Sequence, residues 1–255
     1  MSTLREQFME LVIREIFLRK GSGFVLKGGA ALRSLYGENR LTKDVDLDFT
    51  NPKRTAESLH NTISRSIDNA ARGLAIRDLV VSRPGKGEQS PRWKLNFSDS
   101  LDQEFHVEIE VSRDPKRVVP GNVIQQRFLP QAAKGITRFW VDIYDGPALI
   151  ASKIAALLGR ELLRDVYDLD LLIGTVPPPD HEQIQWALDR ADLNVNSALD
   201  MLNARLDALT WNRFQTELQD SLLVEIAERF DEAEWSSCKQ RVGEYVEHLL
   251  QELAG

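Results

Sequence analysis

The chain carries a single cysteine, Cys238, in 255 residues, so it can form no internal disulfide and no cysteine-based metal cluster. Its four histidines, His60, His106, His181 and His248, are dispersed without zinc-ligand spacing. It has no GxxxxGK[ST] loop, and the run Gly28-Gly29-Ala30-Ala31-Leu32-Arg33 is not the GxGxxG of a dinucleotide site. No apolar run approaches the roughly 18 residues that span a bilayer. The first segment interrupts its apolar residues with Glu and Arg, unlike a signal peptide. These absences exclude a disulfide scaffold, a zinc module and a P-loop enzyme. They leave an expectation of a soluble cytoplasmic protein with no membrane contact. There is no internal repeat, and Pro177-Pro178-Pro179 is the only low-complexity tract.

What is present is an uneven charge. The net −7 divides into 23 basic against 19 acidic residues over 1–150, or +4, and 9 against 20 over 151–255, or −11. The first half is therefore the side expected to meet a polyanion, above all across Arg113, Lys116, Arg117, Arg127, Lys134 and Arg138, which face only Asp114.

Periodicity divides the chain in the same way. Leu4, Phe8, Leu11, Val12 and Ile16 predict an amphipathic helix that stops at Gly21. A strand at 24–27, a helix at about 29–36, a strand at 45–49 ending at Asn51-Pro52, and a helix over 53–72 follow. Residues 76–82 and 93–97 alternate and flank a turn-rich basic segment, which predicts a hairpin. His106 to Val111 is a half-buried strand with Val107, Ile109 and Val111 on one face and His106, Glu108 and Glu110 on the other. A loop-rich basic stretch and a strand near 138–143 close this half. From Pro147 onward only helices are legible, at about 147–159, 161–173, 181–191, 195–209, 211–228 and 232–253. The fold class is therefore α+β, or mixed α/β: a catalytic domain over 1–145 with a mixed sheet flanked by helices, then a helical domain over 146–255.

The densest chemistry lies between Phe24 and Phe49. Side chains alternate along a strand, so Asp44 and Asp46 present two carboxylates on one side, suited to a divalent metal. Gly28 and Gly29 let backbone approach a phosphate closely, and the N–H groups opening the following helix favour an anion. The parts together suit Mg²⁺, in one or two sites, and a nucleoside triphosphate. Glu108 or Glu110 would supply a third carboxylate, Glu108 being the favoured one. Further on, Lys153, Arg160, Arg164, Asp165 and Asp168 occupy two adjoining helical segments with an apolar opposite side, and Lys153 could reach a triphosphate. Tyr167 and Trp140 could stack on a base, although buried packing is the expected role of both.

The order strand, Gly-Gly, helix, strand with Asp-x-Asp resembles the DNA polymerase β-like nucleotidyltransferase superfamily. More narrowly, Gly28-Gly29-x-Ala31-Leu32, Arg40-x-Thr42-x-Asp44-Val45-Asp46-Leu47, the acidic strand, Lys153-x-x-Ala156-Leu157 with Arg160, and Arg164-Asp165-x-Tyr167-Asp168-Leu169 resemble the AbiEii/AbiGii-type toxin nucleotidyltransferases. That resemblance implies a toxin of a type IV-like toxin–antitoxin system, with a cognate antitoxin encoded nearby. It also implies transfer of nucleotides from NTP to the 3′ acceptor end of tRNA. Carried over by position, Gly28 and Gly29 would cradle phosphates, with Thr42 and Arg160 also at the nucleotide. Asp44, Asp46 and Glu108 would hold metal, Lys153 would contact the nucleotide phosphates, and Asp165 or Asp168 would complete the pocket. Ala30 stands where the family often has Thr, and Thr42 where Ser is usual. The alternatives are transfer to a small molecule such as an aminoglycoside, which the acidic helical half would suit, and a catalytically silent regulator.

Overall fold

The computed structural model describes residues 4–18, 22–36, 41–51, 55–85, 88–133, 135–228 and 230–254. Gly21, Arg40, Pro52 and Lys134, and the hairpin-tip residues Lys86 and Gly87, lie outside the described residues. The chain forms two compact units. The first comprises Met1–Leu35, Thr42–Val118 and Val123–Ile143; the second comprises Tyr36–Leu41, Val119–Asn122 and Tyr144–Gly255.

Among the described residues the first unit holds helices α1 (Leu4–Phe17), α2 (Gly28–Tyr36) and α3 (Ala56–Gly73) with seven strands: β1 (Phe24–Lys27), β2 (Asp44–Phe49), β3 (Val80–Ser82), β4 (Arg92–Ser98), β5 (Glu104–Ser112), β6 (Val123–Phe128) and β7 (Phe139–Tyr144). The strands form one mixed sheet in the order β3-β4-β5-β2-β1-β7-β6. β2 is antiparallel to β1 and parallel to β5, and β1 is parallel to β7. Alternation sorts the two faces. Leu26, Leu47, Ile109 and Leu95 fall on the buried side, and α1 packs against α3, β2 and β5. The opposite side carries Lys27, Asp44, Asp46, Glu108, Glu110 and Arg92, all brought level by the strand register.

Three departures from the sequence reading have local causes. The strand expected over 76–82 begins only at Val80, because the amides of Leu74, Ala75 and Ile76 are taken by the last carbonyls of α3, with Ala75 at φ +55. β6 falls inside the stretch read as loop. Its Gln125-Gln126-Arg127 lacks apolar alternation because it is a sheet edge, mostly exposed.

The second unit contains α4 (Gly146–Gly159), α5 (Leu163–Leu172), α6 (His181–Ala191), α7 (Val195–Ala208), the short α8 (Trp211–Arg213) and α9 (Val224–Ala227), and the 23-residue α10 (Glu232–Ala254). The third departure is here. The single helix expected over 211–228 is broken into α8, a π turn at Phe214–Leu218, a 3₁₀ turn at Gln219–Ser221 and α9. Thr216 bonds back to the Asn212 and Arg213 carbonyls, and Phe214 sits against Trp211, Phe230 and Trp235 with ring centres 4.9 to 5.0 Å away. Back-bonding and aromatic packing together widen the turn. Asp180 and Gln183 close a capping box on α6, directly after the proline run. Cys238 is fully buried on α10, and burial, followed by the neighbouring Asp170 carboxylate, pushes its thiol far above the ordinary value of 9.0.

Candidate active site

The first unit's polar face begins at the β1–α2 turn. Gly28 has φ +66, and a Cβ placed on it would lie 2.2 Å from Asp46 Oδ2 and 3.1 Å from Asp46 Cβ. The turn therefore lies directly against the second carboxylate of β2, and any larger residue there would strain the turn and displace that carboxylate. From Gly28 the chain enters α2, whose first N–H groups have no intrahelical partner. Backbone donors at a helix start, adjacent to a carboxylate pair, suit phosphate oxygens and a cation together.

Asp44 pairs in register with Glu108 and Asp46 with Glu110, so these carboxylates of two parallel strands lie side by side on this face. The two glutamates differ in their partners. Arg92 lies 2.9 Å from Glu110 and 3.5 Å from Glu108, and Arg117 lies 3.6 Å from Glu110 alone. Glu110 is thus the more strongly ion-paired of the two. Among the described residues no three His, Cys, Asp or Glu side chains are already gathered as a metal cluster. His106, on the same strand face, is hydrogen-bonded to Asn96 across β4.

Two residues of this face were not singled out from the sequence. Asp48, the third acid of Asp44-x-Asp46-x-Asp48, is fully buried, and Lys27 Nζ sits 2.7 Å from its Oδ1. The alternation of β2 and the position of Lys27 directly before Gly28 were the available signals. Thr42 is 8% exposed and its hydroxyl donates to the Asp44 carbonyl at 3.1 Å, which fixes the start of β2.

In the second unit, α4 and α5 assemble a buried ionic group. Lys153 Nζ donates to Asp165 at 3.2 Å and also to Asp168. Arg160 grips Asp165 through Nε at 2.8 Å and Nη2 at 3.1 Å. Both aspartates are fully buried, one helical turn apart on α5, and Lys153 stands among Ile150, Ile154 and Leu157. The structure thus brings Lys153, Arg160, Asp165 and Asp168 together in one network. Both aspartates are buried, so removing Lys153 takes charge compensation from each of them, while Arg160 still meets Asp165. Tyr167 packs its ring 6.0 Å from that of Phe230. Trp140, expected to be buried, is instead 49% exposed.

A family model described as the nucleotidyl transferase AbiEii toxin of type IV toxin–antitoxin systems matches residues 14–249. The chain belongs to the AbiEii nucleotidyltransferase toxin family. Solved structures show the same fold at low identity. JHP933 from Helicobacter pylori is 17% identical with a TM-score of 0.55, covering 98% of this chain and 93% of that one. The nucleotidyltransferase toxin MenT4 from Mycobacterium tuberculosis H37Rv is 17% identical with a TM-score of 0.51, covering 98% and 92%. No curated protein matches the chain. The mixed α/β fold, the enzyme class and the toxin family are thereby those expected from the combined Gly28-Gly29, Asp44-x-Asp46, Lys153 and Arg164-Asp165 blocks. Membership of a type IV family implies a cognate antitoxin. Among the described residues no helix is long and apolar enough to cross a membrane.

Proposed function

We propose that this AbiEii-family toxin is a metal-dependent enzyme that transfers nucleotides from an NTP to the 3′ acceptor end of tRNA. It would act in the cytoplasm, where an antitoxin encoded beside it neutralises it. The observation that carries the reading is the packing of Gly28 against Asp46 at the start of α2, which sets backbone phosphate donors beside a carboxylate pair. Hard oxygen donors on one face fit Mg²⁺, which binds through one or two protein carboxylates and completes its shell with phosphate oxygens and water. Asp44 and Asp46 would hold it, with Glu108 as the third carboxylate because Glu110 is tied more closely to Arg92 and Arg117. Such a cation stabilises charge on the attacking and leaving oxygens.

The chain's own groups bind and orient. Gly28, Gly29 and the opening amides of α2 cradle the triphosphate. Lys27, held by Asp48, adds positive charge beside that turn. Thr42 keeps Asp44 in place through its hydrogen bond. The family resemblance would assign Lys153 to the nucleotide phosphates; within its own unit its ammonium is held by Asp165 and Asp168, and Arg160 holds Asp165. The acceptor 3′-hydroxyl gives up its proton to solvent as its oxygen bonds to the α-phosphorus, the bond from the α-phosphorus to the oxygen bridging to the β-phosphate breaks, and pyrophosphate leaves with that oxygen. The excess basic charge of residues 1–150 supports a polyanionic acceptor.

Incubating the protein with each labelled NTP and either total cellular RNA or an aminoglycoside panel tests the reading. Label in the tRNA band, dependent on added Mg²⁺, is the expected result. Label confined to a small molecule, or no transfer with any acceptor, overturns it.

A further inference from the structure

Trp140 is a large aromatic on the open side of its strand. Val141 and Ile143 are buried in the core, while Trp140 leaves half of its surface open. Ile143 pairs with Leu26 on the apolar side of the sheet, so alternation sends Trp140 and Asp142 to the opposite side, the one bearing Lys27 and Asp46. β6 follows the same phase. Gln125 Nε2 donates to Asp142 at 3.1 Å, and the Arg127 guanidinium carbon stands 5.1 Å from the Trp140 ring centre. Ile124 and Phe128 face the other way, and Phe128 stacks on Phe139 at 5.0 Å. Among the described residues Arg127 has no carboxylate in an ion pair. Its charge is set against the indole face.

The position is as informative as the exposure. Lys27 is level with Asp46, and Trp140 stands three residues before Ile143 on β7. At about 3.3 Å per residue and about 4.8 Å between strands, Trp140 lies roughly 16 Å from Asp46 across the same face. That is a span of a few nucleotides. An open aromatic ring beside an unpaired cation is the recurring means of holding single-stranded nucleic acid, with the ring stacking on a base and the cation meeting a phosphate.

We propose that Trp140 and Arg127 form a stacking subsite for the unpaired nucleotides that precede the 3′ hydroxyl of an RNA acceptor. The inference rests on the reading of RNA as acceptor and adds where that RNA is gripped. Trp140 supplies base stacking without choosing a sequence, and Arg127 supplies a phosphate contact.

The test is fluorescence anisotropy with a short single-stranded RNA bearing a free 3′ end, in the absence of NTP, alongside NTP affinity and melting temperature for each variant. W140A should weaken RNA binding at least about 5-fold, the lower end of one lost base stack, whereas W140F should stay close to wild type. R127Q should weaken binding and reduce the salt slope by about one phosphate contact. NTP affinity should not change in any of the three. If wild type binds and labels RNA while W140A binds it equally well, the subsite is refuted and the acceptor reading stands. If W140A and W140F lose binding together with melting temperature, Trp140 is structural and the subsite is again refuted. If wild-type protein binds no RNA and labels only a small molecule, the acceptor reading itself fails and the subsite with it.

Discussion

Gly28 and Asp46 occupy adjoining space: a Cβ on the glycine would meet the aspartate carboxylate oxygen at 2.2 Å, and the glycine holds φ +66. The turn that presents backbone amides and the strand that presents carboxylates are therefore fitted to each other.

Gly28→Ala should displace the Asp46 carboxylate and strain the turn. The backbone strain is on the order of 1–2 kcal/mol, a modest loss of stability, but transfer should fall at least about 10-fold. Gly159→Ala is the control, since a Cβ there meets nothing within 4 Å. Thermal melts and initial rates on both variants check this. Equal activity in Gly28→Ala and Gly159→Ala would show that the close approach does not matter.

Asp44→Asn and Asp46→Asn should each lower transfer at least about 100-fold through loss of metal charge stabilisation, with melting temperature largely unchanged. Glu108→Gln should resemble them. Glu110→Gln should act more weakly on rate and more on stability, because it releases Arg92 and Arg117. Mn²⁺ titration followed by electron paramagnetic resonance separates lost binding from lost fold.

Lys153→Met should destabilise by about 3–5 kcal/mol, the usual result of removing one partner from a buried pair. Asp168 is then left buried and charged. Lys153→Met with Asp168→Leu should restore much of the stability but not nucleotide affinity. Denaturant titration together with NTP binding on both variants decides the matter. Recovery of both properties would make Lys153 purely structural.

His60 makes stability depend on acid. Burial first, then the charge of Arg113, lowers its pKa below the ordinary 6.5, with Glu88 offsetting part of the shift. The unfolded chain thus binds the proton more tightly than the folded one. The stability contributed by neutral His60 is whole above 6.5 and is lost as pH falls through the folded value. His60→Gln should flatten the decline in melting temperature as pH falls below 6.5. An unchanged slope would remove His60 from the account.

Much of the candidate face was legible because it is written in short periods. Asp44-Val45-Asp46 and His106-Val107-Glu108-Ile109-Glu110 alternate strictly, so the polar side of β2 and β5 follows from the two-residue repeat of a strand. Lys153 among Ile150, Ile154 and Leu157 likewise marks a charge on a buried helical face. β6 was not legible, because an edge strand buries too little to need an apolar pattern. Trp140 was misplaced for a related reason: β7 alternates, but the sequence does not say that its polar side leaves half of Trp140 open.

The sequence by itself determined which residues alternate, where helices begin and which carboxylates share a strand, since these follow from backbone geometry within a few residues. Only the tertiary structure decided the parallel register that sets Asp46 level with Glu110, the salt bridge of Lys27 to Asp48 and the exposure of Trp140. Those depend on contacts between segments far apart in the chain, and no local period records which strand becomes whose neighbour.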